Sequence, residues 1–470
     1  MGQVREEKSN TPCPAGLFPQ PSHLFRCQQP KPLLALTFRL YEIHLLHLHQ
    51  TMQAPYYYCT YSTSVRSIEK TMRVTAACSL LFYLPLSFVS SSQHPLLVAS
   101  NLRNADSQTD ALLALHRTLV SIPSTSGNES EIAFVLKNYL EAHGLEVELQ
   151  PVSPETHHAA LNPEAMEPVK QRYNVFAYSP GHRQTPILLT SHIDTVPPHI
   201  PYSFRGDDEL WGRGTVDAKA CIATQFWAYM QLVRAGDIKR KDVSFLYVVG
   251  EETGGLGMRT ANSLGLRWET VIFGEPTELK LATGHKGFLV FYLTATGAGG
   301  HSGYPELADS ALDVMLAALA KLKELEAQFP SSERFGPTTL NIGMLESGVA
   351  PNVIPTRATA GVSVRVTSKD PADVKNLILE TLEGVNDRLQ IKFSEGMYGP
   401  VATDFDVPGF ETSVVNYGTD VPNLKGDHKR YLYGPGSILV AHSDHEHLRT
   451  KDLVDAVAGY KKLIKHALLR

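Results

Sequence analysis

The sequence predicts an α/β protein in which a smaller βαββαβ unit interrupts a larger one. Three observations carry that expectation. Strand-like apolar runs, PILLTSHID, DVSFLYVVGEE and TVIFGE, alternate with helical stretches such as ADSALDVMLAALAKLKELEAQF, the pattern of a sheet covered by helices. Each run ends directly in His, Asp or Glu, and open parallel sheets place their ligands at the carboxyl ends of strands. Beyond Gly284 the pattern changes to strand, helix, two strands, helix and strand.

Taken in order, residues 1–71 carry Pro, His, Gln and Tyr clusters such as HLLHLHQ and APYYYCTYST. They show no sustained period, so this leader is expected to lie outside the fold. Met72 and Arg73 precede the apolar run VTAACSLLFYLPLSFV and the small-residue patch SSS. That order of charged, apolar and small residues is that of a secretory signal at 72–92. The run is shorter than a membrane span and Pro85 interrupts it. Four of the five cysteines lie in residues 1–92, which leaves Cys221 alone in the body. An exported body with one cysteine has no intramolecular disulfide and must rest on a hydrophobic core. Asn128-Glu129-Ser130 is an N-glycosylation sequon, consistent with a secreted glycoprotein.

The body is expected to divide into a first catalytic part (93–283), an inserted unit (284–395) and a second catalytic part (396–470). In the insertion, GFLVFYLTATG alternates as a half-buried strand. A helix follows over about Pro305 to Phe329, then strands at TTLNIGML and RATAGVSVRV, then a helix after Asp370-Pro371. The closing segment SILVAHSDHEH reads as another apolar strand ending in His and acid residues. Composition fits this plan: 43% of the 470 residues are hydrophobic and 19% charged, enough for two packed domains and too apolar for a disordered chain. The 43 Lys and Arg against 48 Asp and Glu give a net charge of −5, so no basic field attracts nucleic acid. The body has no uncharged apolar run long enough for a membrane span.

The chemistry sits at the strand ends. His192 and Asp194 follow ILLTS on one side of a strand, an arrangement that suits a metal-binding imidazole with a carboxylate to orient it. Asp217 follows the turn Gly212-Arg213-Gly214-Thr215-Val216, just before a helix, where an ordinary helix cap is the plainer reading. Glu251 and Glu252 follow VSFLYVVG, and adjacent carboxylates repel unless a cation or shared proton relieves them. Glu275 emerges from VIFG before a proline. His442 follows ILVA, with His445 and His447 close enough to compete as ligands. Gly254-Gly255-Leu256-Gly257 lacks a full phosphate-loop pattern and reads as a turn; Cys221 reads as buried packing.

His, Asp, Glu, Glu and His together form a ligand set for two zinc ions sharing a carboxylate. At this point the chain resembles the di-zinc metallopeptidase family that holds glutamate carboxypeptidase, acetylornithine deacetylase, succinyl-diaminopimelate desuccinylase and aminoacylase. The motifs that carry the resemblance are SHIDTVPP, WGRGTVDAKA, VVGEETGGLGM, FGEPTE, GAGGHSGYPE, GVAPNVIPTRA and VAHSDHE, in family order from about Asp106 to the C-terminus. The crowded HSDHEH departs from the commoner ending. The resemblance implies a zinc-peptidase-like catalytic domain with an inserted ferredoxin-like lid that forms a homodimer. It implies two Zn2+ per subunit, one on His192 and Glu275, the other on Glu252 and His442, with Asp217 bridging. Asp194 then orients His192, and Glu251 is the general base. His301 in GGHSGYP matches a histidine that reaches the partner subunit's site and holds the carbonyl oxyanion. Asn352 and Arg365 match substrate-facing groups, and an Arg fork suits a free carboxylate. The expected activity is secreted carboxypeptidase hydrolysis of peptides. N-acyl amino acid deacylation is the alternative within the family, and a non-catalytic binding protein the alternative outside it.

Overall fold

In a computed structural model, residues 108–153 and 171–469 are described. The expected leader and signal peptide lie outside these residues. The main elements begin with α1 (Gln108–Ser121), α2 (Ser130–Ala142), β1 (Glu146–Val152), β2 (Arg172–Tyr178) and β3 (Ile187–His192). Next come α3 (Lys219–Ala235), β4 (Val243–Val248), α4 (Leu256–Ala261), β5 (Thr270–Gly274) and β6 (Leu281–His285). The inserted βαββαβ unit is β7 (Gly287–Thr296), α5 (Ala311–Leu325), β8 (Thr339–Ser347), β9 (Arg357–Val366), α6 (Pro371–Leu382) and β10 (Leu389–Phe393). The chain closes with β11 (Val401–Ala402), β12 (Thr412–Val415), β13 (Lys429–Tyr433) and α7 (Thr450–Leu468).

The larger unit is built on a six-stranded sheet in the order β1-β2-β4-β3-β5-β13. The pairs β4–β3, β3–β5 and β5–β13 are parallel; β1–β2 and β2–β4 are antiparallel. Helices cover both faces, which is why β3, β4 and β5 are buried along their whole length and read as unbroken apolar runs. On one face Leu189, Phe245, Tyr247 and Ile272 share a core with α1, α2, α3 and α7. On the other, Leu188, Leu246, Val271 and Phe273 pack with Met258 and Ala261 of α4. The small sheet β11-β6-β12 lies between this unit and the insertion in sequence.

The inserted sheet has the order β8-β9-β7-β10, with every pair antiparallel. In β7, Leu289, Phe291, Leu293 and Ala295 are buried while their neighbours are half exposed. That period of two turns one face of the sheet onto α5 and α6, forming a separate core. Ser310 caps α5 by accepting the Asp313 N–H, and Asp370 caps α6 by accepting the Ala372 N–H, with Pro371 in the first turn. The cap at Ser310 makes α5 shorter than the expected span. Residues Pro305–Leu307 and Glu326–Gln328 are separate 3-10 turns.

One expected strand is absent. The segment SILVAHSDHEH forms no strand of its own: Ser437 makes an isolated bridge to Thr277, and only His447 enters a strand, the short His447–Arg449. The strand that rejoins the main sheet is β13, just upstream. After it, Gly436 and His442 adopt positive φ values of 79° and 61°. Val440 N–H bonds Ser437 O and Ala441 N–H bonds Ile438 O, so the run is coiled into turns. Leu439 is accordingly 82% exposed rather than packed in a sheet.

Candidate active site

Because β4, β3, β5 and β13 are parallel, their carboxyl ends share one edge of the sheet. His192 is the last residue of β3, Glu251 and Glu252 lie on the turn after β4, and Glu275 directly follows β5. Asp217 lies two residues before α3, and His442 sits on the turns after β13. The structure brings these side chains together. Asp217 presents one oxygen to each histidine: Oδ1 is 3.0 Å from His192 Nε2 and Oδ2 is 3.2 Å from His442 Nε2. Glu252 Oε2 is 3.0 Å from His442 Nε2, and Glu275 Oε1 is 3.9 Å from His192 Nε2. Donor atoms of His192, Asp217 and Glu252 lie within 4.8 Å of one another.

Asp194 orients more than was expected of it. His192 Nδ1 bonds the backbone carbonyl of Asp194 at 2.9 Å, while its distance to the carboxylate is 3.6 Å. The buried carboxylate itself accepts the backbone N–H groups of Glu251 and Glu252, at 3.1 and 3.2 Å, and the Ser126 hydroxyl at 2.7 Å. It therefore fixes the turn that carries both glutamates. Gly255, which leads into α4 with φ +76°, lets that turn lie close to Asn423; a Cβ there would come 2.0 Å from Asn423 Nδ2. The expected turn beside the site is therefore Gly254–Gly255, while Leu256 and Gly257 already belong to the first turn of α4.

The electrostatics follow from crowding acids in a buried space. Burial pushes the carboxyls of Glu251, Glu252 and Glu275 upward, and neighbouring carboxylates add to the shift. Burial disfavours charge on His192, but Asp194, Asp217 and Glu275 outweigh it and raise the imidazole well above its ordinary range. His442, bonded to Asp217 and Glu252, is raised to about 10. Without a metal, the cluster balances its acids with retained protons and imidazolium charge. Divalent cations bound by nitrogen and oxygen donors fit the same place, and no Lys or Arg ion pair with these acids competes with them among the described residues.

Asp217 is not the cap of α3; Ala218 occupies that position with no side-chain bond. His445 bonds Asp444, and His447 stacks on Trp211 with ring centroids 4.8 Å apart, so neither faces the cluster as His442 does. Cys221 is buried in α3, and burial raises its thiol far above the usual range. One residue with a part in the site lies inside the VAHSDHE motif but was given no role there. Glu446 is 1% exposed and accepts the backbone N–H groups of Gly214, Val216 and Asp217, at 2.9, 3.1 and 3.4 Å, while bonding Arg213 Nη1 at 2.7 Å. It shapes the loop that delivers Asp217.

The inserted unit's residues are not drawn into the cluster. His301 is exposed; its Nδ1 accepts the Gly303 N–H at 3.0 Å. It lies beside Asn352, whose carbonyl accepts the Ser302 N–H, through the pairing of Gly300–His301 with Val353–Ile354. No hydrogen bond or ion pair links either to the cluster among the described residues. Arg365, half-buried on β9, stacks over Phe288 with Cζ 4.6 Å from the ring centroid and has no carboxylate partner among the described residues. Asn128 is half-buried in a turn, its N–H bonded to Thr125 O, next to the buried Glu129–Arg172 ion pair.

Residues 283–388 match the peptidase dimerisation domain of the M20 type. The chain is 43% identical over 439 residues to a probable carboxypeptidase of Emericella nidulans, covering 85% of this chain and 99% of the relative. It is 43% identical over 398 residues to a peptidase M20 domain-containing protein of Sordaria macrospora, covering 79% and 88%. Among solved structures, an M20 family metallo-carboxypeptidase of Sulfolobus solfataricus superposes with TM-score 0.58 at 19% identity, covering 76% of this chain and 99% of that one. The dipeptidase Dug1p of Saccharomyces cerevisiae gives TM-score 0.61 at 15% identity, covering 79% and 98%. These two likenesses show a shared fold, and the sequence relatives show more: the chain belongs to the M20 peptidase family, metal-dependent hydrolases of peptide and amide bonds.

Proposed function

We propose that this protein is an exported di-zinc carboxypeptidase. The observation that carries the reading is Asp217, whose two carboxylate oxygens face His192 and His442 separately. His192, Glu275 and Asp217 Oδ1 would hold one zinc, and His442, Glu252 and Asp217 Oδ2 the other. Two zinc ions supply Lewis acidity and a water acidic enough to ionise near neutral pH. Glu251 sits next to Glu252 on the turn fixed by Asp194 and has no side-chain hydrogen bond to protein among the described residues. In this reading its carboxylate would take a proton from the attacking water and pass it to the leaving amine.

The free terminal carboxylate of a peptide needs a cation, and the guanidinium of Arg365 is half-buried and has no carboxylate partner among the described residues. Lys286, buried and bonded to Pro337 O, adds a second positive charge nearby, whose own pKa is lowered by burial and then by Arg365. His301 and Asn352, exposed together on the insertion, suit contact with a second copy of the chain, where His301 would donate to the carbonyl oxygen. The relatives named probable carboxypeptidase support peptides over other amides. Export is supported by the signal-like order at 72–92 and the sequon at Asn128.

The test is release of the C-terminal residue from a peptide panel with free and amidated C-termini, run beside N-acyl amino acids. Cleavage of free peptides alone supports the proposal. Cleavage of N-acyl amino acids alone replaces it with a deacylase, and no turnover of either by zinc-loaded protein leaves a binding role.

A further inference from the structure

Asp420 is a buried carboxylate that the chemistry above does not use. It lies between β12 and β13 and is 5% exposed. Its Oδ1 accepts from Asn423 Nδ2 at 3.0 Å. Its Oδ2 is buried and has no hydrogen-bond partner among the described residues. A buried carboxylate oxygen left unpaired is costly, so its retention calls for a physical reason. The side chain lines a cavity of about 10 Å³ whose wall also includes His192, Glu275, Met258 and Phe273. That volume is at the lower limit for a single water, roughly 10–15 Å³.

The surrounding segment is firmly held. The Thr419 hydroxyl bonds His285 Nε2 at 3.0 Å and accepts the Val421 N–H at 3.1 Å, while His285 Nδ1 bonds the Lys286 carbonyl at 2.8 Å. Burial holds His285 neutral, down to a pKa of about 4, in keeping with one ring nitrogen donating and the other accepting. Asn262 clamps the other end, donating to Asn423 O at 2.9 Å and accepting the Lys425 N–H at 2.8 Å. Glu275, in contrast, has no side-chain hydrogen bond among the described residues. It is also farther from its histidine, at 3.9 Å, than Asp217 and Glu252 are from theirs.

We propose that Asp420 is a positioning residue for the metal position formed by His192 and Glu275. Its Oδ2 accepts one hydrogen of a single water in this cavity, and the other hydrogen goes to the Glu275 carboxylate. The bridge fixes the Glu275 rotamer and places negative charge behind that ligand, as Asp194 does behind His192. The inference rests on the two-metal reading of the site.

The experiment titrates zinc out of the full chain with a chromophoric chelator, for wild type and Asp420→Asn. The amide is isosteric and keeps the bond from Asn423. Losing an outer partner of a ligand typically costs 10–100-fold in metal affinity. One zinc equivalent should weaken by that factor while the other holds within about twofold, and the thermal midpoint of the metal-free protein should not change. Asp420→Ser, which removes the charge with less bulk, should show the same selective loss and guards against a folding failure of the first variant. Two equivalents with unchanged affinity in both variants would overturn the inference. So would equal weakening of both equivalents with a lower metal-free midpoint, which marks a structural role. A wild type that binds no zinc would instead remove the two-metal reading itself, and this inference with it.

Discussion

Glu446 offers a quantitative test of how the Asp217 loop is held. Its Oε1 accepts three backbone N–H groups and its Oε2 bonds Arg213, with both side chains almost fully buried. In Glu446→Gln the amide oxygen can keep the N–H bonds, but the amide NH2 then meets the guanidinium as donor against donor. Arg213 would retain bonds to the Pro198 and Ser443 carbonyls and lose its ion-pair partner Glu446. Removing one member of a buried pair costs about 3–5 kcal/mol. The Gln variant belongs near the lower end of that range. Glu446→Ala, which also strands the three N–H groups, belongs near the upper end. The assay is urea unfolding of chelator-stripped protein, so that metal binding adds nothing to the native state, with the midpoint shift converted through the m-value. A Glu446→Ala variant within about 0.5 kcal/mol of wild type, the ordinary scatter for surface substitutions, would refute the cradle.

Three further outcomes are expected. Glu251→Gln should lower kcat by about 10²–10⁴ while both metals remain bound, since it removes a general base and no ligand; steady-state rates beside metal analysis check both halves. Arg365→Ala should raise KM for peptides with a free C-terminus and leave the residual cleavage of amidated peptides unchanged, which a matched substrate pair measures. His116 is buried with Nε2 bonded to Thr215 O, and burial lowers its pKa from 6.5 to about 4. The unfolded chain then binds a proton below pH 6.5 that the folded one refuses until about pH 4. Stability should therefore fall with pH across that window, by roughly 3 kcal/mol in total from this group. Urea midpoints of wild type and His116→Gln between pH 7 and pH 4 should show the smaller slope in the variant.

The parts of this molecule legible in the sequence are those whose signal is local. The buried parallel strands β3, β4 and β5 read as apolar runs because both faces are covered, and His192, Glu252 and Glu275 stand out as polar residues at their ends. The insertion was legible through the period of β7 and through caps such as Asp370-Pro371. The segment around His442 was misread because Ile438, Leu439 and Val440 are apolar; two backbone positions at positive φ and a pair of turns keep them out of a sheet. The roles of Glu446 and Asp420 were not legible, for a different reason. Their partners are backbone N–H groups and a small cavity far away in sequence, and no spacing rule encodes those. Which histidine of HSDHEH faces the acids depended likewise on a turn conformation.

The most direct measurement is zinc per chain on purified protein, by elemental analysis, for wild type and Asp217→Asn, before and after a strong chelator. The two-metal site with a shared carboxylate requires about two equivalents in wild type, lost together with peptide hydrolysis and restored with added zinc. Asp217→Asn should hold neither ion firmly, because the amide cannot serve both positions as an anion. A wild type that takes up no zinc, or an Asp217→Asn variant that keeps both equivalents and full activity, would contradict it.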